Sequence, residues 1–147
     1  MSDVDSINRS FRKGDVLRWR TLEFIVGYEI KISNNPSDEC SICKKLAGKY
    51  PKSFDWDGWH YKCKCFCVSI LMDEETFDKK ELSDLKSALN GLEPMKFEAK
   101  NEVKYVPECF IDWFLENRKH LNETHSMPEF VTNNIQLIML SYEHYKR

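Results

Sequence analysis

The sequence predicts an α+β fold, a small antiparallel sheet with a knuckle site at one end, followed by about three helices. Leu22, Phe24, Val26, Tyr28, Ile30 and Ile32 alternate with Glu23, Glu29 and Lys31, the period of a strand with one buried face. Leu82, Leu85 and Leu89, and later Phe110, Ile111, Phe114 and Leu115, recur at helical spacing. Between these regions Cys40, Cys43, His60, Cys63, Cys65 and Cys67 crowd into one short stretch.

The chain of 147 residues, 41% hydrophobic and 13% aromatic, is enough for one compact domain with a real core. Met1 to Asp15 is polar and expected to be loose at its beginning. Arg12, Lys13, Arg18 and Arg20 gather around Trp19, a cluster read first as a solvated face and second as a nucleic-acid contact. After the strand, Asn34-Asn35-Pro36-Ser37-Asp38 makes the turn that delivers the chain to Cys40. Lys44 to Lys49 reads as a short helical turn ended near Gly48 and Pro51. The long loop from Ala47 to Gly58 has few aliphatic residues. Phe66 to Met72 reads as a second strand pairing with the first.

Asp73 suits an N-cap, Glu74 and Glu75 suit the first turn after it, and Asn90-Gly91 ends that helix. The acidic residues from Asp73 to Asp84 are expected on its exposed side. Residues 96 to 105 read as a short strand or an extended strap. Pro107 suits the first position of the next helix, on which Cys109 is expected to be buried packing. Asn122 to Pro128 breaks that helix, and Phe130 onward reads as a last amphipathic one. His120, His125 and His144 read as surface or loop residues. The division is a polar and basic segment at 1–21, a metal-binding α+β core at 22–93 and a helical segment at 94–147.

A cysteine pair two residues apart aims both sulfurs at one point, and His60 with Cys63 repeats that spacing. Four soft donors are what a tetrahedral zinc takes. Cys40, Cys43 and His60 are the firmest ligands. The fourth place lies between Cys63, which closes a knuckle with His60, and Cys65, which shares one face with Cys63 and Cys67 if residues 63 to 69 form a strand; Cys67 is a distant third. A closed site of four protein ligands is structural, and its removal should unfold the segment. Three ligands and a water would instead be a metal-dependent hydrolase, with Asp55 or Asp57 as base.

The run from Asp38 to Pro51, followed by Gly58-Trp59-His60-Tyr61-Lys62-Cys63-Lys64-Cys65, resembles the carboxy-terminal part of Mu F-like head morphogenesis proteins, minor head proteins of tailed phages. Their pattern is a Cys pair, a Leu-x-Gly segment, then His-Pro-Asn-Cys-Arg-Cys; Tyr61 and Lys62 stand here for Pro and Asn, and Lys64 for Arg. Val26 to Lys31 and Ile70 to Glu75 resemble the flanking segments. Val106-Pro107-Glu108, Trp113, Asn117, Met127 to Phe130 and Asn133-Asn134 resemble the tail of gut-bacterial versions. Family members carry a long helical region upstream where this chain has about two dozen residues, so a stand-alone carboxy-terminal module, a split gene product or a divergent relative is expected.

The resemblance implies a phage or prophage minor head protein module with a structural zinc, acting in capsid assembly or in DNA packaging and ejection near the portal. Its partners would be head and portal proteins. It would be found in the host cytoplasm during assembly and then in the virion head. The alternative is a zinc-containing nucleic-acid-binding module in which Tyr50, Phe54, Trp56 and Trp59 interleave with Lys44, Lys45, Lys49, Lys52, Lys62 and Lys64. The same aromatics are read first as the miniature core of a small zinc module and second as a stacking surface. The net charge of −2 mildly disfavours tight general binding to DNA. No phosphate loop or nucleophile elbow is present, so no enzyme is expected. No apolar run approaches a membrane span, and six cysteines at metal-type spacing without a secretory signal imply a reducing cytosol.

Overall fold

The computed structural model describes residues 3–33 and 41–146, so Cys40 and the turn before it lie outside the described residues. Helix α1 (Asp3–Arg20) leads into β1 (Ile25–Lys31). Then come α2 (Ser41–Leu46), β2 (Gly48–Tyr50) and β3 (Phe66–Leu71). The rest is helical: α3 (Glu74–Leu89), α4 (Glu108–Glu123), α5 (Glu129–Thr132) and α6 (Ile135–Lys146). Among the described residues this is a three-stranded antiparallel sheet with six helices, an α+β fold with more helices than the sequence predicts.

The sheet runs β2-β1-β3, with Tyr28 opposite both Tyr50 and Ser69, and Ile30 opposite Gly48 and Cys67. The expected pairing of β3 with β1 is present. Strand β1 is shorter than its alternation suggested, because an irregularity between Ile25 and Gly27 breaks the register and leaves Phe24 partly exposed. Strand β2 follows α2 directly, where the sequence suggested only a helical turn. Three residues of Gly-Lys-Tyr carry too little periodicity to be read as a strand.

Ring packing fills the centre. Tyr50 at the end of β2 and Phe54, Trp56 and Trp59 from the loop after it are buried in one cluster with Phe110 and Trp113 of α4 and Phe130 of α5. Trp59 meets Phe130 edge-on at 4.8 Å, and Phe54 meets Phe110 edge-on at 5.8 Å. Several buried polar atoms are paired along the way, while the indole N–H groups of Trp56 and Trp59 have no hydrogen-bond partner among the described residues. Tyr28 Oη donates to the Phe54 carbonyl at 2.5 Å, and Tyr50 Oη to the Leu46 carbonyl at 2.6 Å. The Asn134 amide accepts from Asp55 N at 2.8 Å and donates to Asp55 O at 2.9 Å, tying the start of α6 to the loop. The core therefore crosses all three segments of the chain, from Val16 to Ile138.

Two expectations are corrected. The looseness expected at the amino terminus does not extend into the described residues, since α1 runs from Asp3 and buries Asp5, Arg12 and Val16 on one face at i, i+7 and i+11. Cys109 is exposed rather than packed, because the buried face of α4 falls one residue further on, at Phe110, Ile111 and Trp113. The last helix divides into α5 and α6 at Asn133-Asn134. His120, His125 and His144 are exposed as expected, with His144 stacked on Tyr105 at 4.0 Å.

Candidate metal centre

Helix α2 carries Cys43 inward, and the turn after the aromatic loop brings His60 and Cys63 to meet it. That turn closes with Cys63 N donating to the His60 carbonyl at 3.2 Å. Lys62, between them, takes a left-handed φ of 61°, which reverses the chain within the two-residue gap. Gly58 precedes the turn with φ +134°, and a Cβ there would come within 2.9 Å of Arg12 Nη1. Glycine meets both demands at this position.

The donor atoms of Cys43, His60 and Cys63 all lie within 4.8 Å of one another. Cys43 Sγ is 3.2 Å from His60 Nε2 and 3.9 Å from Cys63 Sγ. His60 Nδ1 stands 2.7 Å from the Tyr61 carbonyl. A carbonyl only accepts, so Nδ1 carries the proton and Nε2 turns its lone pair toward the sulfurs, the arrangement of a metal-ligating histidine. Cys65 is buried with its thiol against the Cys63 and Cys43 sulfurs, outside the tight group of three. Cys67 is half-buried on β3. The cluster is compatible with a metal site of nitrogen and sulfur ligands.

The thiols are electrically unequal. A hydrogen bond with the Cys65 thiol pulls Cys63 down to about 5. Burial opposes the shift, while backbone hydrogen bonds from Trp59 and Cys65 and the charge of Arg12 support it. Cys65 is pushed upward by that same hydrogen bond, by burial and by the neighbouring sulfurs.

Helix α1 fixes the turn from behind, a feature the sequence reading missed. Asp5, Arg9 and Arg12 lie at i, i+4 and i+7, the spacing of one helix face. Arg12, only 8% exposed, donates through Nη2 to the Cys63 carbonyl and through Nη1 to the Asp57 carbonyl at 3.0 Å. Its guanidinium also lies over the Trp56 ring at 5.5 Å. Arg9 Nη2 donates to the His60 carbonyl at 3.1 Å, and its other nitrogens reach Asp57 at 3.3 Å and Asp5 at 3.1 Å. Asp5, 3% exposed, accepts from Lys62 N at 3.0 Å. Burial pushes the Asp5 carboxyl up, but Arg9, the Lys62 amide and the Arg12 charge outweigh it and hold the group below the usual carboxylate range. The signal was present as the spacing Asp5-Arg9-Arg12-Val16; it was obscured by reading Arg12 together with Lys13, Arg18 and Arg20. Those three are exposed, so the basic cluster is split between inside and outside.

The structure thus brings together Cys43, His60 and Cys63, with Cys65 beside them, while Cys40 lies outside the described residues. The Asp57 carboxylate is engaged by Arg9, and that of Asp55 by Asn133 at 3.1 Å. Tyr50, Phe54, Trp56 and Trp59 are buried in the core, which leaves Tyr61 as the exposed ring of this loop. Comparisons with models of known protein families, with curated proteins and with solved structures find no match to this chain.

Proposed function

We propose that this chain is a non-catalytic assembly module whose fold is held by a structural zinc on Cys43, His60 and Cys63, with Cys40 or Cys65 as the fourth ligand. The observation that carries it is the convergence of the two sulfurs and the histidine nitrogen. Two thiolates bound at about 2.3 Å to one tetrahedral zinc sit about 3.8 Å apart, and a thiolate and an imidazole nitrogen about 3.6 Å apart. The corresponding distances here are 3.9 and 3.2 Å. Arg12 supports the same reading: it is a buried cation without an ion pair among the described residues, and its charge favours the Cys63 thiolate. A zinc held by thiolates supplies compensating negative charge and crosslinks α2 to the turn before β3.

A structural role is preferred over hydrolysis because both candidate bases, Asp55 and Asp57, are committed to other side chains. Burial of the four loop aromatics argues against a stacking platform for single-stranded nucleic acid. For the biological setting, the resemblance of residues 38–65 to Mu F-like head morphogenesis proteins supports a role in phage or prophage head assembly, with head and portal proteins as partners.

Elemental analysis of the purified chain beside Cys63→Ser and Cys65→Ser tests the metal. About one zinc per chain is expected, lost in Cys63→Ser together with the order of residues 60–65 and with a lower thermal midpoint. A wild-type chain without zinc, or one whose thermal unfolding is unchanged by chelation, would sink the structural reading. Mass spectrometry of purified phage particles tests the setting: the chain should be present in heads and absent from separated tails.

A further inference from the structure

Helix α3 presents the wrong face to its own chain. Its buried residues are Thr76 and Ser87, with Lys80 on the same side paired to Glu23 and Asp84. The leucines that predicted the helix point outward: Leu82 is 55% exposed, Leu85 58% and Leu89 77%. An amphipathic helix normally buries its apolar stripe. Here the polar stripe faces inward and the leucines face solvent. The helix is nevertheless well made. Asp73 caps its start by accepting from Thr76 N at 2.9 Å. Its end is a Schellman turn, with Leu92 N donating to Ser87 O at 2.8 Å and Gly91 in the left-handed region at φ 68°. Leu92 extends the leucine stripe beyond that turn, also exposed.

The spacing and the flanking charges point to one occupant. Leu82 and Leu89 are seven residues apart with Leu85 between them, the a and d positions of a two-stranded coiled coil. Glu81 then falls at g and Lys86 at e, both exposed and without an ion pair among the described residues. In a parallel pair, g of one helix faces e of the next heptad on the other, five residues on. Glu81 of each copy would therefore meet Lys86 of its mate, twice by symmetry. An antiparallel pair would set glutamate against glutamate and lysine against lysine. We propose that α3 is the interface of a parallel homodimer, in which the leucine stripes of two copies of this chain close on each other and the Glu81–Lys86 pairs fix the orientation.

The seam spans few turns, so the dimer is weak and its test must cover a wide concentration range. Sedimentation equilibrium of the full metal-loaded chain should approach twice the chain mass of 17.5 kDa at the highest concentration and return to it on dilution. Leu85→Glu should stay monomeric throughout, with helix content and metal content unchanged, because the side chain is already solvent-exposed. Lys86→Glu should weaken the dimer about tenfold, and adding Glu81→Lys should recover most of that loss. These two exposed polar positions decide the matter even if Leu85→Glu fails to fold. A monomeric wild type at every concentration, a dimer that survives Leu85→Glu, or a dimer indifferent to the single charge reversal would overturn the proposal.

Discussion

Residues 51–59 and residues 60–65 belong to one loop but are fixed by different forces. The first stretch contributes Phe54, Trp56 and Trp59 to a ring cluster in which Phe54 and Trp59 each meet several others, including Phe110, and Trp56 packs on Trp59. The second buries little beyond its sulfurs and is held by directed bonds, from Arg9 and Arg12 to the carbonyls of His60 and Cys63, and from Lys62 N to Asp5. Ring packing is non-directional and shared among many partners. A donor turn has no such redundancy. Each bond orients one donor group, and a bound ion would add a shared point of attachment among them.

Removing the metal should separate the two stretches most widely. After chelation, amide exchange in residues 60–65 and in α1 is expected to lose several kcal/mol of protection. Helices α4 and α6 should keep most of theirs. A uniform loss along the chain would break the comparison by making both stretches one cooperative unit. The converse experiment is Phe110→Ala, which removes a ring packed against Tyr50, Phe54, Trp59, Trp113 and Phe130. It should cost about 3–5 kcal/mol in urea unfolding. The folded variant should still hold its metal by elemental analysis, since the donors do not depend on that ring.

Two substitutions behind the donor turn sharpen the contrast. Arg12→Met keeps an unbranched apolar stem but ends short of the guanidinium position and leaves the Cys63 and Asp57 carbonyls without these donors, at a cost of about 2–3 kcal/mol. Metal affinity, measured against a competing chelator, should fall about 10–100-fold because a ligand has lost its orienting partner. Arg12→Lys should recover little of it, since an ammonium cannot fork to two carbonyls. Gly58→Ala should cost about 1–3 kcal/mol through its positive φ and the crowding of Arg12. If the alanine variant is as stable as wild type, the turn has more slack than its dihedrals imply.

How much of this could be read from the sequence differs along the same line. The donors were legible because chemistry restricts them to a few residue types at fixed spacing; Cys43, His60 and Cys63 need no tertiary information to be picked out. Their support was not. Asp5 and Arg12 are polar residues on a polar segment, and nothing local distinguishes a buried arginine from a solvated one until the carbonyls it serves arrive from more than forty residues away. Strand β1 was read from its alternation, yet β2 was too short to carry any. Leu82, Leu85 and Leu89 announced a helix, and Glu74, Glu75, Asp78 and Glu81 are exposed as expected, but the leucines are exposed too, because periodicity identifies an apolar face without saying what covers it.

That helix also provides the mildest test, since the residues it buries, Thr76 and Ser87, are polar. Asp73 accepts from Thr76 N and Oγ1 and from Lys100 N at 2.9 Å. The Thr76 hydrogen bonds, with those from the backbone, outweigh burial and hold its carboxyl below the usual value of 3.8. A carboxyl lowered in the folded state stabilises fully above its unfolded pKa and loses that contribution as pH falls through the folded one. Asp73→Asn removes the ionisable group, so the gap in α3 exchange protection between wild type and variant should be widest near neutrality. It should close below about pH 4. Measured at low protein concentration, the loss should stay within α3, because Thr76 and Ser87 pass little of it to the sheet. A loss that spread to residues 60–65 would mean that α3 and the donor turn are one structural unit, and the contrast between packed rings and directed bonds would then have to be drawn elsewhere in the molecule.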